Sequence, residues 1–128
     1  MDTIKIQGTD DTPTIVLDAE KNVFEIAGRS LPEDVNAFYN PILEWLEQYK
    51  QNPNEKTIFG FKLTYFNTAS SKLLLDILMK LLDIHESGKE VMIKWYYEED
   101  DEDMFEAGEE YDELVDIPFE LITWTSTV

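Results

Sequence analysis

A chain of 128 residues is long enough for one domain with a single core and too short for two ordinary ones. Apolar residues at 43% and aromatics at 12% supply that core and argue against global disorder, and the lack of cysteine removes disulfides, thiol catalysis and thiolate metal sites. A formal charge of −18 repels phosphate backbones and anionic headgroups, which makes nucleic acid and membrane poor partners. The same charge aids solubility and favours a partner with a basic patch, held more weakly as salt rises.

The N-terminus lacks a basic region followed by an apolar run, and no apolar stretch reaches bilayer length, so the expected compartment is the cytoplasm. Ile4-Lys5-Ile6 alternates as a strand does, and residues 8–13 are turn chemistry. Residues 14–17 form a β-branched run and 23–26 another, closed by Gly28. Strands this closely spaced predict an antiparallel N-terminal edge. Val35, Phe38, Ile42, Trp45 or Leu46, and Tyr49 recur at steps of three and four, which predicts a helix over 34–50. Pro41 lies inside it, so the helix should kink there or restart with Asn40 as a cap.

Residues 57–63 read as a central strand. A long helix follows and stops at Gly88, with His85 in its last turn. Residues 91–96 are a further strand. The acidic run from Glu98 to Asp103 opens a third helix that reaches Leu114 or Val115, where carboxylates near the N-terminus suit the helix dipole. Pro118 breaks it, and 119–124 form a last strand. This alternation predicts an α/β fold with a largely parallel or mixed sheet.

Little here points to catalysis. His85 is the one histidine, and its place near a helix end suits a capping or core-edge role better than a general base. No Gly-rich phosphate loop, nucleophile elbow or paired-histidine spacing is present, and no cofactor is implied. The run Glu98-Glu99-Asp100-Asp101-Glu102-Asp103 lacks the alternating ligands, turn glycine and distal glutamate of a calcium loop, so a solvated helix end is preferred to a metal site.

The segment Tyr65-Phe66-Asn67-Thr68-Ala69-Ser70-Ser71-Lys72 is different. Asn, Thr and Ser are common N-caps, so Thr68 can be read as a helix cap within a constitutive protein-interaction module. The same geometry suits a phosphate, because free amides and the positive end of the helix dipole stabilise added negative charge. Behind it, Leu74, Ile77, Leu78, Leu81 and Ile84 form the stripe expected against a sheet, and Leu75, Met79 and Leu82 widen it. That width leaves two readings open: partly exposed apolar surface for a protein contact, or cover by the first helix with Trp45 and Tyr49.

Segment 65–72, the pattern Phe38-Tyr39-Asn40-Pro41-Ile42-Leu43-Glu44-Trp45-Leu46 and the pattern Trp95-Tyr96-Tyr97-Glu98-Glu99-Asp100-Asp101-Glu102-Asp103-Met104 together resemble the SiaC family of bacterial regulatory phosphoproteins over about residues 12–122. The resemblance implies a single STAS-like α/β domain with a mixed central sheet, about three helices and an antiparallel N-terminal edge. It implies a non-enzymatic partner-switching protein, phosphorylated on Thr68 by a protein kinase of the histidine-kinase-like ATPase fold and dephosphorylated by a PP2C-type phosphatase. The unphosphorylated form would bind and activate a diguanylate cyclase or another effector, raising cyclic di-GMP and promoting biofilm formation. Contacts to the partner are expected from Tyr65, Asn67, Ala69, Ser70, Ser71, Lys72, Leu75 and Met79. Ala69 departs from the family pattern, where a serine would follow the threonine.

Overall fold

The computed structural model describes residues 2–125. Three N-terminal strands, β1 (Ile4–Ile6), β2 (Thr14–Asp18) and β3 (Val23–Ser30), are followed by α1 (Val35–Tyr49), β4 (Lys56–Phe66), α2 (Thr68–Glu86), β5 (Glu90–Glu98), α3 (Glu102–Leu114) and β6 (Phe119–Trp124). The strands form one six-stranded sheet in chain order, antiparallel from β1 to β3 and parallel from β3 to β6. The mixed sheet with an antiparallel N-terminal edge is thus as the sequence predicts.

Each parallel pair needs a crossover, and the crossovers all advance across the sheet in the same direction. Right-handed connections then put α1, α2 and α3 on one face. Burial follows: Phe24 and Ile26, Phe59, Phe61 and Leu63, and Val91, Ile93 and Trp95 are buried beneath the helices. The alternate residues Glu25, Ile58, Lys62, Met92 and Lys94 are only partly covered on the other face. Core aromatics run from Phe24 between Trp45 and Tyr49, through Phe59 and Phe61, to Trp95.

Several expectations are corrected. Helix α1 is capped by Asp34, whose side chain accepts from the Ala37 amide at 3.0 Å, and it continues through Pro41 without restarting at Asn40. Pro41 and Ala37 are both exposed, so water can serve the Ala37 carbonyl that the proline leaves without a donor. Gly28 does not end β3. It takes φ +108°, a conformation glycine reaches without penalty, and shifts the register to β4 so that pairing continues to Ser30. The acidic run is divided: Glu98 closes β5, and Asp101 caps α3 by accepting from the Met104 amide at 3.0 Å. No helix among the described residues is long and apolar enough to cross a membrane.

Candidate functional site

Helix α2 begins where β4 leaves the sheet. Asn67 is extended (φ −86°, ψ 173°), its side-chain oxygen accepts from the Ser70 amide at 2.9 Å, and its carbonyl accepts from the Ser71 amide at 3.0 Å. Asn67 is therefore the cap, and Thr68 is the first helical residue. The reading of Thr68 as the cap is corrected. Its side chain is exposed, and its hydroxyl makes no hydrogen bond among the described residues. Its carbonyl accepts from the Ser71 hydroxyl at 2.7 Å.

One residue further in, the turn is fastened from below. Ser70 is fully buried. Its hydroxyl donates to the Ser30 carbonyl at 3.0 Å and accepts from the Ser30 hydroxyl at 2.9 Å. With that proton committed, Tyr39 must donate to the Ser30 hydroxyl, 2.6 Å away. Burial pushes the Tyr39 phenol upward, partly offset by its bond to Ser30, so it keeps the proton the chain requires. The Asn67 amide also reaches the Ser30 carbonyl at 3.2 Å. Ser70 thus belongs to the frame, and its place among the partner contacts is corrected: a hydroxyl sealed between β3 and α1 is out of a partner's reach. Neither Ser30 nor Tyr39 was singled out from the sequence, since neither carries a local signal for so distant a pairing.

The remaining candidates fall into two groups. Tyr65 (46% exposed), Ala69 and Lys72 lie at the surface around Thr68, with Asn67 and Ser71 half-covered. The guanidinium of Arg29 stands over the Tyr65 ring, 5.6 Å from its centroid. Lys72 and half-buried Leu75 line a groove between α2 and α3, opposite Tyr111 and Leu114. The Tyr111 hydroxyl donates to the Ser71 carbonyl at 2.7 Å, and burial foremost, then the charge of Glu110, raises that phenol so that it remains a donor. Leu114, 64% exposed, is an apolar side chain on this groove that the sequence did not mark, because its helical pattern does not show which side α3 turns outward. Met79 is apart from this group. It lines the groove between α1 and α2 with Leu43, Glu44 and Glu47. Of the residues that widen the stripe, Leu75 and Leu82 are half-buried, while Met79 remains 44% exposed.

His85 is half-buried in the last turn of α2, at the core edge, with no hydrogen-bond partner for its Nδ1. Among the described residues no three His, Asp or Glu side chains converge as metal ligands.

The profile of the SiaC family regulatory phosphoprotein matches residues 6–124. An uncharacterized protein of Pseudomonas aeruginosa (strain UCBPP-PA14) is 30% identical over 119 residues, 93% of this chain and 94% of the relative. The crystal structure of apo-SiaC from Pseudomonas aeruginosa superposes with a TM-score of 0.87 at 30% identity, covering 95% of this chain and 99% of that one. SiaC in the crystal structure of the diguanylate cyclase SiaD with its activator SiaC, from the same organism, gives 0.88 at 29% identity, covering 94% and 99%.

Proposed function

The chain belongs to the SiaC family of regulatory phosphoproteins, and on that premise we propose that it is a partner switch thrown by phosphorylation of Thr68. It is a regulatory protein, not an enzyme. In the proposed cycle a histidine-kinase-like protein kinase adds the phosphate and a PP2C-type phosphatase removes it. The unphosphorylated form, acting as one domain in the cytoplasm, binds and activates a diguanylate cyclase. Its similarity to SiaC, which activates the cyclase SiaD, supports that choice of effector.

One observation carries the proposal: Thr68 sits at the start of α2 with its hydroxyl exposed and unbonded, because Asn67 has taken over the capping. A kinase can reach that oxygen without unfolding the turn. The phosphate it adds would bring roughly −1.5 to −2 charges to the positive end of a long helix. The helix would remain, and the surface presented to a partner would change.

Intact mass after incubation with the kinase and ATP tests the site. One phosphate should be gained by the wild-type chain and none by Thr68→Ala; a gain that persists in the variant rejects Thr68. Because Thr68 is not the cap, Thr68→Ala should change stability by no more than about 0.5 kcal/mol in a thermal melt. If Thr68→Asp loses the cyclase in a pulldown while Thr68→Ala keeps it, the constitutive-module alternative is excluded.

A further inference from the structure

We infer that the effector meets the start of α2 with a carboxylate-bearing segment anchored on Lys72, and that phosphorylation of Thr68 ends the contact by claiming Lys72 from within. This rests on the phosphoswitch reading and adds the chemistry of the partner. The chain has 28 acidic residues, yet none lies between Glu55 and Asp76. That acid-free run covers all of β4 and the first two turns of α2. Elsewhere Lys50, Lys56, Lys62, Lys80 and Lys89 each stand within ion-pair distance of a carboxylate. Lys72 is exposed and, like Lys5, Lys21 and Lys94, has no ion pair among the described residues; of these four it alone lies on α2, one turn from Thr68. Arg29, the only arginine, also lacks one; it stacks on Tyr65 and donates to the Asp10 carbonyl at 3.1 Å. Among the described residues Lys72 is thus the one cation lining the α2–α3 groove of an acidic protein, beside the apolar side chains of Leu75 and Leu114, where Glu110 is the one carboxylate in the lining and makes no ion pair with it.

The sign of the switch selects the occupant. A basic segment would be drawn closer by a phosphate on Thr68, so its release would run against the electrostatics. A segment that brings a carboxylate to Lys72 is repelled by the same phosphate. Thr68 and Lys72 are four residues apart on one helix, so the new phosphate can also pair with Lys72 and remove the anchor. Phosphorylation then acts twice, by repulsion and by competition.

The test uses the unphosphorylated full chain and the source organism's own SiaD-type diguanylate cyclase, with affinity measured by calorimetry at two salt concentrations. Lys72→Glu should weaken binding by at least roughly tenfold, a loss that shrinks as salt screens the charge. Lys72→Ala should fall between, and Lys72→Arg should bind as the wild type does. Equal or tighter binding by Lys72→Glu, with a melt matching wild type, overturns the inference. Because no phosphate is involved, this result is independent of the mass measurement at Thr68: either can fail alone. If the unphosphorylated wild-type chain does not bind the cyclase at all, both the effector assignment and this inference fall.

Discussion

The start of α2 and the whole of α3 lie side by side on the same sheet, and they are built on opposite plans. The first two turns of α2 carry no acid and are tied downward by buried hydroxyls, Tyr39 to Ser30 to Ser70. Helix α3 has seven acidic residues among its thirteen and no basic one, and it is held by close packing on Trp95. Position matters in the first case, where a single hydroxyl must be presented in a fixed place. In the second, most of the outer surface is charge, and a glycine and a tyrosine secure the helix. Directional bonds fix the site, and shape fixes the neighbour that walls it.

The largest effect should come from filling the glycine. A Cβ at Gly108 would lie 2.6 Å from both Leu121 Cδ2 and Trp95 Cδ1, and 2.8 Å from the indole nitrogen. Trp95 is fully buried and its nitrogen donates to the Met104 carbonyl at 3.0 Å, so the ring cannot step aside. Gly108→Val should therefore destabilise the fold by about 3 kcal/mol, read by chemical denaturation. A near-neutral result would mean that α3 is not held by shape. Ser70→Ala comes next, at about 2 kcal/mol, because it removes the acceptor of the buried Ser30 hydroxyl proton and leaves the Ser30 carbonyl only the Asn67 amide. Amide exchange should quicken first in α2's opening turn. Uniform quickening across the sheet would show that the hydroxyl chain supports the core generally and not the site.

These two residues also mark what could be read from the sequence and what could not. Apolar spacing and turn chemistry located every strand and helix, because period and punctuation are local properties. Thr68 was legible as a helix start for the same reason. Gly108 carried no such signal: a glycine inside a helix normally costs about 1 kcal/mol against alanine, and only the indole beneath it explains its presence. The placement of Ser70 was likewise invisible, since its partner is forty positions earlier. Thr68, Ala69, Ser70 and Ser71 look alike as a string, and the helical turn sends Ser70 inward and Thr68 out.

The two regions meet at one hydrogen bond, from the Tyr111 hydroxyl on α3 to the Ser71 carbonyl on α2. Tyr111→Phe removes that donor and keeps the ring against Trp95, so the loss should be about 1 kcal/mol by thermal melt. Kinase-dependent phosphorylation of Thr68 should continue, because Asn67 and Ser70 still hold the turn. If the variant stops it, α3 is part of the frame that presents the hydroxyl.

The smallest effect should have the opposite sign. Glu109 is exposed, with Glu106, Asp112 and Glu113 three or four residues away on the same helix. Like charges at these spacings destabilise a helix by a few tenths of a kcal/mol per pair, and a cation in their place reverses each term. Glu109→Lys should raise stability by roughly 0.5 kcal/mol at low salt, and the gain should fade as ionic strength increases. Destabilisation would show that the acids of α3 hold the fold together. A salt-sensitive gain would mean that the fold bears their repulsion as a cost, which leaves recognition and solubility as the reasons for a helix so uniformly charged beside a helix start free of acid.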